Sequence, residues 1–188
     1  MRMKRIFDLI LAIFIFFVLL ILFLLIAASI KITSKGPVLH WSSRVGKDNI
    51  IFKMPKFRSM LIGTPNVATH LLKNPSVYFT PIGEFLRRTS LDELPQLFSV
   101  LKGDMSFVGP RPALFNQEDL IALRKVKGVD KLLPGITGWS QVNGRDELLI
   151  PEKVSFDVVY LNRQSFWFDI KILWMTLLRV IKCDGVSH

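Results

Sequence analysis

From Leu9 to Ala28 the chain carries 20 apolar residues without interruption, and Ser29 and Ile30 extend the stretch. At a helical rise of about 1.5 Å per residue these positions reach roughly 33 Å, the thickness of a bilayer's hydrocarbon core. A secretory leader has a shorter apolar stretch of about 7–15 residues. The basic start and the small residues Ala27-Ala28-Ser29 keep a cleavable leader as the alternative, but the pattern predicts a membrane-embedded segment over residues 1–32. Arg2, Lys4 and Arg5 precede the apolar stretch, and Lys31, Lys35, Arg44 and Lys47 follow it. Positive charge on both flanks places both ends on the cytoplasmic side, which requires a re-entrant hairpin. Yet no Pro or Gly interrupts Leu9–Ile30, so a straight spanning helix stays open as well.

Beyond it, Thr33-Ser34-Lys35-Gly36-Pro37 reads as a turn, residues 49–60 as an extended piece, and residues 63–81, rich in Gly, Pro, Asn and Thr, as a surface loop. Ile82, Phe85, Leu86, Leu91, Leu94, Leu97, Phe98 and Leu101 recur at spacings that predict a helix, closed by Gly103. Further helices are predicted over about 113–127, 152–162 and 166–182. The last combines Phe166, Trp167, Ile170, Leu173, Trp174, Leu177 and Leu178 with Lys171, Arg179 and Lys182. It suits a helix lying flat among lipid headgroups, or equally a core helix with packed tryptophans. The fold class is therefore α+β and mostly helical: one compact domain at 33–188 behind the membrane segment.

Charge and cysteine content narrow the chemistry. Lys and Arg number 25 against 15 Asp and Glu, a net charge of +10, and only three of the basic residues precede the apolar stretch. The excess suits anionic lipid or phosphorylated ligands. Nucleic acid is not an expected partner, because the basic residues are not interleaved with aromatics in the manner of a stacking platform. A single cysteine, Cys183, excludes an intrachain disulfide and any multi-cysteine zinc site.

The densest polar cluster is Arg87-Arg88-Thr89-Ser90-Leu91-Asp92-Glu93-Leu94-Pro95-Gln96. Ser90 and Glu93 fit the capping box S-x-x-E, which would make both acids ordinary helix-start residues. Pro95 would then fall at the fifth helical position, so the regular helix is expected to begin near Leu94. In either case the acids sit at a helix start, where two adjacent carboxylates can hold a divalent cation while one attacks phosphorus; magnesium usually takes only one or two protein carboxylates. In Gly109-Pro110-Arg111-Pro112 an arginine fixed between prolines is preorganised to grip a phosphate, or else pairs with an acid such as Asp104. Pro134-Gly135-Ile136-Thr137-Gly138 leads through Trp139 to Arg145, with glycines that permit close backbone approach.

Together these blocks resemble the bacterial sugar transferase family, the small monotopic phosphoglycosyl transferases. The resemblance runs through Lys56-Phe57-Arg58-Ser59-Met60, Phe85 to Phe98, Leu101 to Pro112, Pro134 to Arg145, Phe156-Asp157-Val158-Val159-Tyr160 and Ser165 to Asp169. It implies transfer of sugar-1-phosphate from a UDP-sugar to undecaprenyl phosphate, releasing UMP with Mg2+ as cofactor, on the cytoplasmic face of the bacterial inner membrane. It further implies that Asp92 is a nucleophile forming a covalent phosphosugar intermediate, that Glu93 beside it assists the metal or proton transfer, and that both contact the metal. Lys56, Arg58, Arg88, Arg111, Arg145 and Asp157 are the expected phosphate or substrate contacts. Leu133 stands where the family commonly has arginine, and Leu20-Ile21-Leu22-Phe23 where it has a helix-breaking proline. Two rival readings remain: a non-enzymatic membrane adaptor for anionic lipid or polyanions, and a magnesium-dependent phosphohydrolase using the same acids.

Overall fold

The computed structural model describes residues 2–64, 74–144 and 148–182. The apolar stretch forms two helices, α1 (Arg2–Val18) and α2 (Leu20–Thr33), which meet at Leu19 with a bend of 62°. Hydrogen bonding continues through the bend, the Leu19 and Phe23 amides donating to the Ile15 and Leu19 carbonyls at 2.9 Å each. A bend without Pro or Gly needs another cause, and aromatic packing is at hand. Phe16 and Phe23 sit 5.7 Å apart, centroid to centroid, on the inside of the corner. Both pack on Phe98, and Phe23 also meets Phe57 at 5.5 Å. Ala12, Phe23, Ile26 and Ile30 are buried, whereas Ile10, Phe14, Phe17, Ile21, Leu24 and Leu25 are exposed. Among the described residues no single helix is long and apolar enough to cross a membrane, although the bent pair is so by length and composition.

The hairpin β1 (Leu39–Val45) and β2 (Ile51–Phe57) is antiparallel, with Leu39 opposite Phe57 and Val45 opposite Ile51. The extended piece predicted at 49–60 contains β2; its partner β1 was hidden by the polar His40, Ser42, Ser43 and Arg44. The helix predicted from Ile82 to Leu101 is instead three pieces: α3 (Gly83–Arg88), a 3-10 turn (Leu91–Gln96) and α4 (Leu97–Lys102). Ser90 breaks the run by taking a left-handed conformation at φ 56°, and Pro95 lies inside the 3-10 turn. Regular helix therefore begins at Leu97 and not near Leu94. Gly103, also left-handed at φ 99°, closes α4 as expected.

Two short strands, β3 (Ser106–Val108) and β4 (Gly135–Thr137), pair in parallel. Helix α5 (Glu118–Val126) starts later than predicted because Ala113 and Leu114 are bound to β1: the Val45 amide donates to the Ala113 carbonyl at 2.9 Å, and Arg44 bridges Leu114. Helices α6 (Ile150–Arg163) and α7 (Phe166–Lys182) lie where the periodicity puts them. One core joins α1, α2, α4, β2, β3 and α7 through residues such as Leu97, Val100, Met105, Phe107 and Ile172. On α7, Trp167, Trp174, Leu177 and Val180 are exposed while Asp169 and Ile172 are buried.

Both ends of the α1–α2 pair are tied to this core. Arg5 donates to the Val100 and Leu101 carbonyls, at 2.5 and 2.9 Å, in the last turn of α4. Lys4 pairs with Asp169 at 2.5 Å, and buried Asp8 accepts the Phe107 amide at 3.2 Å. At the other end Arg58 donates to the Lys35 and Ser34 carbonyls at 2.7 and 3.0 Å and to Ser34 Oγ at 2.6 Å.

Candidate active site

The 3-10 turn packs against β2, and this contact assembles the polar centre. Lys56 on β2 donates to Glu93 Oε1 at 2.6 Å, and Arg111 Nη2 stands 3.5 Å from the same oxygen. Asp92 lies just beneath, 5% exposed. Ser90 and Glu93 do not build a capping box. Ser90 makes no side-chain cap bond, its carbonyl accepts the Glu93 amide at 3.2 Å, and the Glu93 carboxylate is turned to Lys56. The left-handed kink at Ser90 thus presents two consecutive acids to cations from three parts of the chain.

Burial pushes the Asp92 carboxyl above the ordinary carboxylate range; the neighbouring Glu93 charge adds to this, while Lys56, Arg87 and Arg111 oppose it. A carboxyl so placed is costly to ionise in the resting protein yet is surrounded by cations suited to a phosphate. Arg87, absent from the expected contacts, is drawn into the same electrostatic group: burial lowers its pKa, and Asp92 and Glu93 pull it back up.

Arg111 is held by the segment on which it rides. The Gly109 amide donates to Thr137 O and the Gly135 amide to Pro110 O, both at 2.9 Å. Gly109 and Gly135 approach so closely that a Cβ on either would collide with the other's backbone. The two glycine-containing blocks of the sequence are therefore one unit. Asp104 pairs with Lys102 at 2.9 Å, leaving Glu93 as the acid beside Arg111.

A cavity of about 460 Å3 opens beside this cluster. Arg88, Glu93 and Arg111 are among its polar lining, and Leu97, Phe107, Ile136 and Val142 among its apolar lining. Ile15 of α1 and Thr176, Arg179 and Val180 of α7 complete the lining. Ile15 and Arg179 were not legible as site residues, since each belongs to an apolar or amphipathic helix whose function only its neighbours reveal.

The expected contacts therefore divide. Lys56, Arg88 and Arg111 stand at the cavity or its acids. Arg58 is buried and occupied with the end of α2. Asp157, expected at the phosphates, is instead 1% exposed inside the fold, accepting from Arg124 and Ser140. Arg145 lies outside the described residues. Among those described, no group of three or more His, Cys, Asp or Glu could hold a metal. Asp92 and Glu93 are the adjacent carboxylates that could hold magnesium, which takes one or two when phosphate oxygens and water complete its shell.

The comparisons agree with this chemistry. The family described as bacterial sugar transferase matches residues 1–183. The chain is 43% identical over 188 residues to the UDP-glucose:undecaprenyl-phosphate glucose-1-phosphate transferase of Escherichia coli (strain K12), covering 94% of this chain and 40% of that protein. It is 38% identical over 202 residues to the undecaprenyl-phosphate galactose phosphotransferase of Salmonella typhimurium, covering 97% and 41% respectively. It is 37% identical over 188 residues to the uncharacterized sugar transferase EpsL of Bacillus subtilis, covering 100% of this chain and 92% of that one. The chain thus spans about two fifths of the length of the first two relatives and nearly all of the third.

Proposed function

Because the chain belongs to the bacterial sugar transferase family, we propose that it moves a sugar-1-phosphate from a UDP-sugar to undecaprenyl phosphate, releasing UMP. The observation that carries this reading is Glu93, paired with Lys56 and Arg111 beside the buried Asp92 and lining a cavity to which Ile15 of the apolar helix α1 contributes. The charged lining of that cavity suits a phosphate and its apolar lining a hydrocarbon chain.

In the first step the Asp92 carboxylate attacks the phosphorus that bears the sugar; the P–O bond to UMP breaks and UMP leaves with its electron pair. A phosphate oxygen of undecaprenyl phosphate then attacks the same phosphorus and displaces Asp92, giving undecaprenyl-diphosphate-sugar. Phosphoryl transfer depends on positioning and charge neutralisation, which Lys56, Arg88 and Arg111 provide. A covalent intermediate lets a soluble donor and a lipid acceptor use one site in turn. Magnesium, when bound by Asp92 or Glu93 with the donor's diphosphate, supplies further neutralisation of phosphate charge.

The α1–α2 pair is a re-entrant hairpin in this reading. Arg5 and Asp8 at its start bind the domain, and Arg58 of the domain binds Ser34 and Lys35 at its end, so a bilayer between the ends would sever one set. The domain then lies on the cytoplasmic face of the inner membrane, and exposed Trp167 and Trp174 on α7 rest among the headgroups. Relatives named for glucose and for galactose leave the sugar to experiment. The decisive measurement is UMP release by the detergent-purified chain with undecaprenyl phosphate, Mg2+ and a panel of UDP-sugars. Acceptor-dependent UMP from one donor is the expected result. Folded protein silent across the panel would favour a membrane adaptor, and repeated UMP release without acceptor a hydrolase.

A further inference from the structure

The segment 109–113 is gripped at every residue by another part of the chain. Gly109 and Pro110 are bound to Thr137 and Gly135, as above, and Ala113 to Val45. The Pro112 carbonyl accepts from Arg44 Nη1 at 3.2 Å. The carbonyl of Arg111, the residue that reaches Glu93, accepts from Arg124 Nη1 at 2.8 Å. Arg124 is itself fixed: its Nε and Nη2 donate to Asp157 Oδ2 at 3.0 and 2.7 Å, and Asp157 Oδ1 accepts from Ser140 Oγ at 3.0 Å. Helix α5, helix α6 and the loop after β4 meet in this one buried arrangement.

An ion pair this deep is a poor device for stability alone, because well-packed apolar residues of similar volume do as well or better. What apolar residues cannot do is hold a carbonyl in a fixed direction. A guanidinium can, since its planar fork binds a carboxylate on one edge and leaves another N–H for a third group. We propose that Arg124 is a positioning residue: anchored on Asp157, it holds the Arg111 carbonyl and thereby aims the Arg111 guanidinium at the phosphate being transferred. Asp157 then acts on substrate through two intervening residues, Arg124 and Arg111. The inference rests on the transferase reading for its chemistry, but its geometry stands apart from it.

The test is a double-mutant cycle on the full chain, with Arg124→Met and Arg124→Lys made alone and together with Arg111→Ala. UMP release and amide exchange over residues 106–114 are both measured. Arg124→Met is expected to lower kcat/KM by about 10- to 100-fold, the scale of a misplaced catalytic contact. Arg124→Lys, which keeps the charge and loses the fork, recovers only part of it. Neither change is expected to slow the enzyme further once Arg111 is alanine, and exchange at the Gly109 amide, which bonds the Thr137 carbonyl, rises in both. Equal losses with and without Arg111 would overturn the proposal, as would unchanged exchange. Exchange needs no turnover, so a wild-type chain that released UMP from no donor would sink the transferase reading while the strut was still decided.

Discussion

Among the buried carboxylates of this protein, Asp157 and Asp92 differ most usefully in what surrounds them. Asp157 accepts three hydrogen bonds, two from Arg124 and one from Ser140, on elements that converge on it from three directions. Burial pushes its carboxyl up, and Arg124 and Ser140 pull it down. Asp92 is nearly as buried, but beside it lies another acid, Glu93, and of the cations that oppose its burial, Lys56, Arg87 and Arg111, the last lines the cavity. The first is held by partners that the fold fixes around it; the second shares its surroundings with a second acid and three cations. Equal burial therefore does not mean an equal setting.

The most severe way to break this comparison is Asp92→Asn, which is expected to abolish acceptor-dependent UMP release while the protein stays folded; near-normal turnover would remove Asp92 as nucleophile. Next, Arg111→Ala should lower kcat by about 100-fold, the scale seen when one charge-stabilising donor is lost, without changing membrane association. Unaltered kinetics would reduce Arg111 to a brace for its turn. Asp157→Ala strands Arg124 and should cost about 3–5 kcal/mol of stability, read as a lowered denaturation midpoint; a midpoint equal to wild type would dissolve the contrast from the structural side.

A smaller effect concerns pH. The folded Asp92 carboxyl binds its proton more tightly than the unfolded one, so ionising it costs stability as pH rises from the ordinary carboxylate value through the raised one. Asp92→Asn should thus be more stable than wild type near neutrality, with a melting temperature higher by about 2–4 °C for each kcal/mol recovered. The advantage should vanish in acid, where wild-type Asp92 is protonated in both states. The same shift places the acidic limb of kcat/KM above the usual carboxylate range. A limb at the ordinary Asp value, together with equal melting temperatures, would show that the cations around Asp92 outweigh its burial.

Part of this site was legible in the chain itself. Adjacent acids after two arginines, and an arginine locked between prolines, suit phosphate chemistry, but it was the family resemblance of the blocks together, not spacing alone, that implied their roles. Arg58 and Asp157 belonged to the same recognisable blocks, yet residue type could not say that one clasps the end of α2 and the other lies under Arg111. Arg124 had no distinguishing mark, being one basic residue on an amphipathic helix.

The sequence by itself determined the apolar N-terminal stretch, the mostly helical fold, the helix limits at 150–163 and 166–182 within a residue or two, and the adjacency of Asp92 and Glu93. Each follows from local periodicity, from the length of an apolar run, or from charges adjacent in the chain. Tertiary structure alone decided the bend at Leu19, where Phe16 and Phe23 pack on Phe98 without any helix breaker. It also decided the division of 82–101 at Ser90, the partnership of Lys56 with Glu93, and the strut from Asp157 through Arg124 to Arg111. In each case the controlling contact joins residues far apart in sequence, and its geometry is set by packing that no local pattern records.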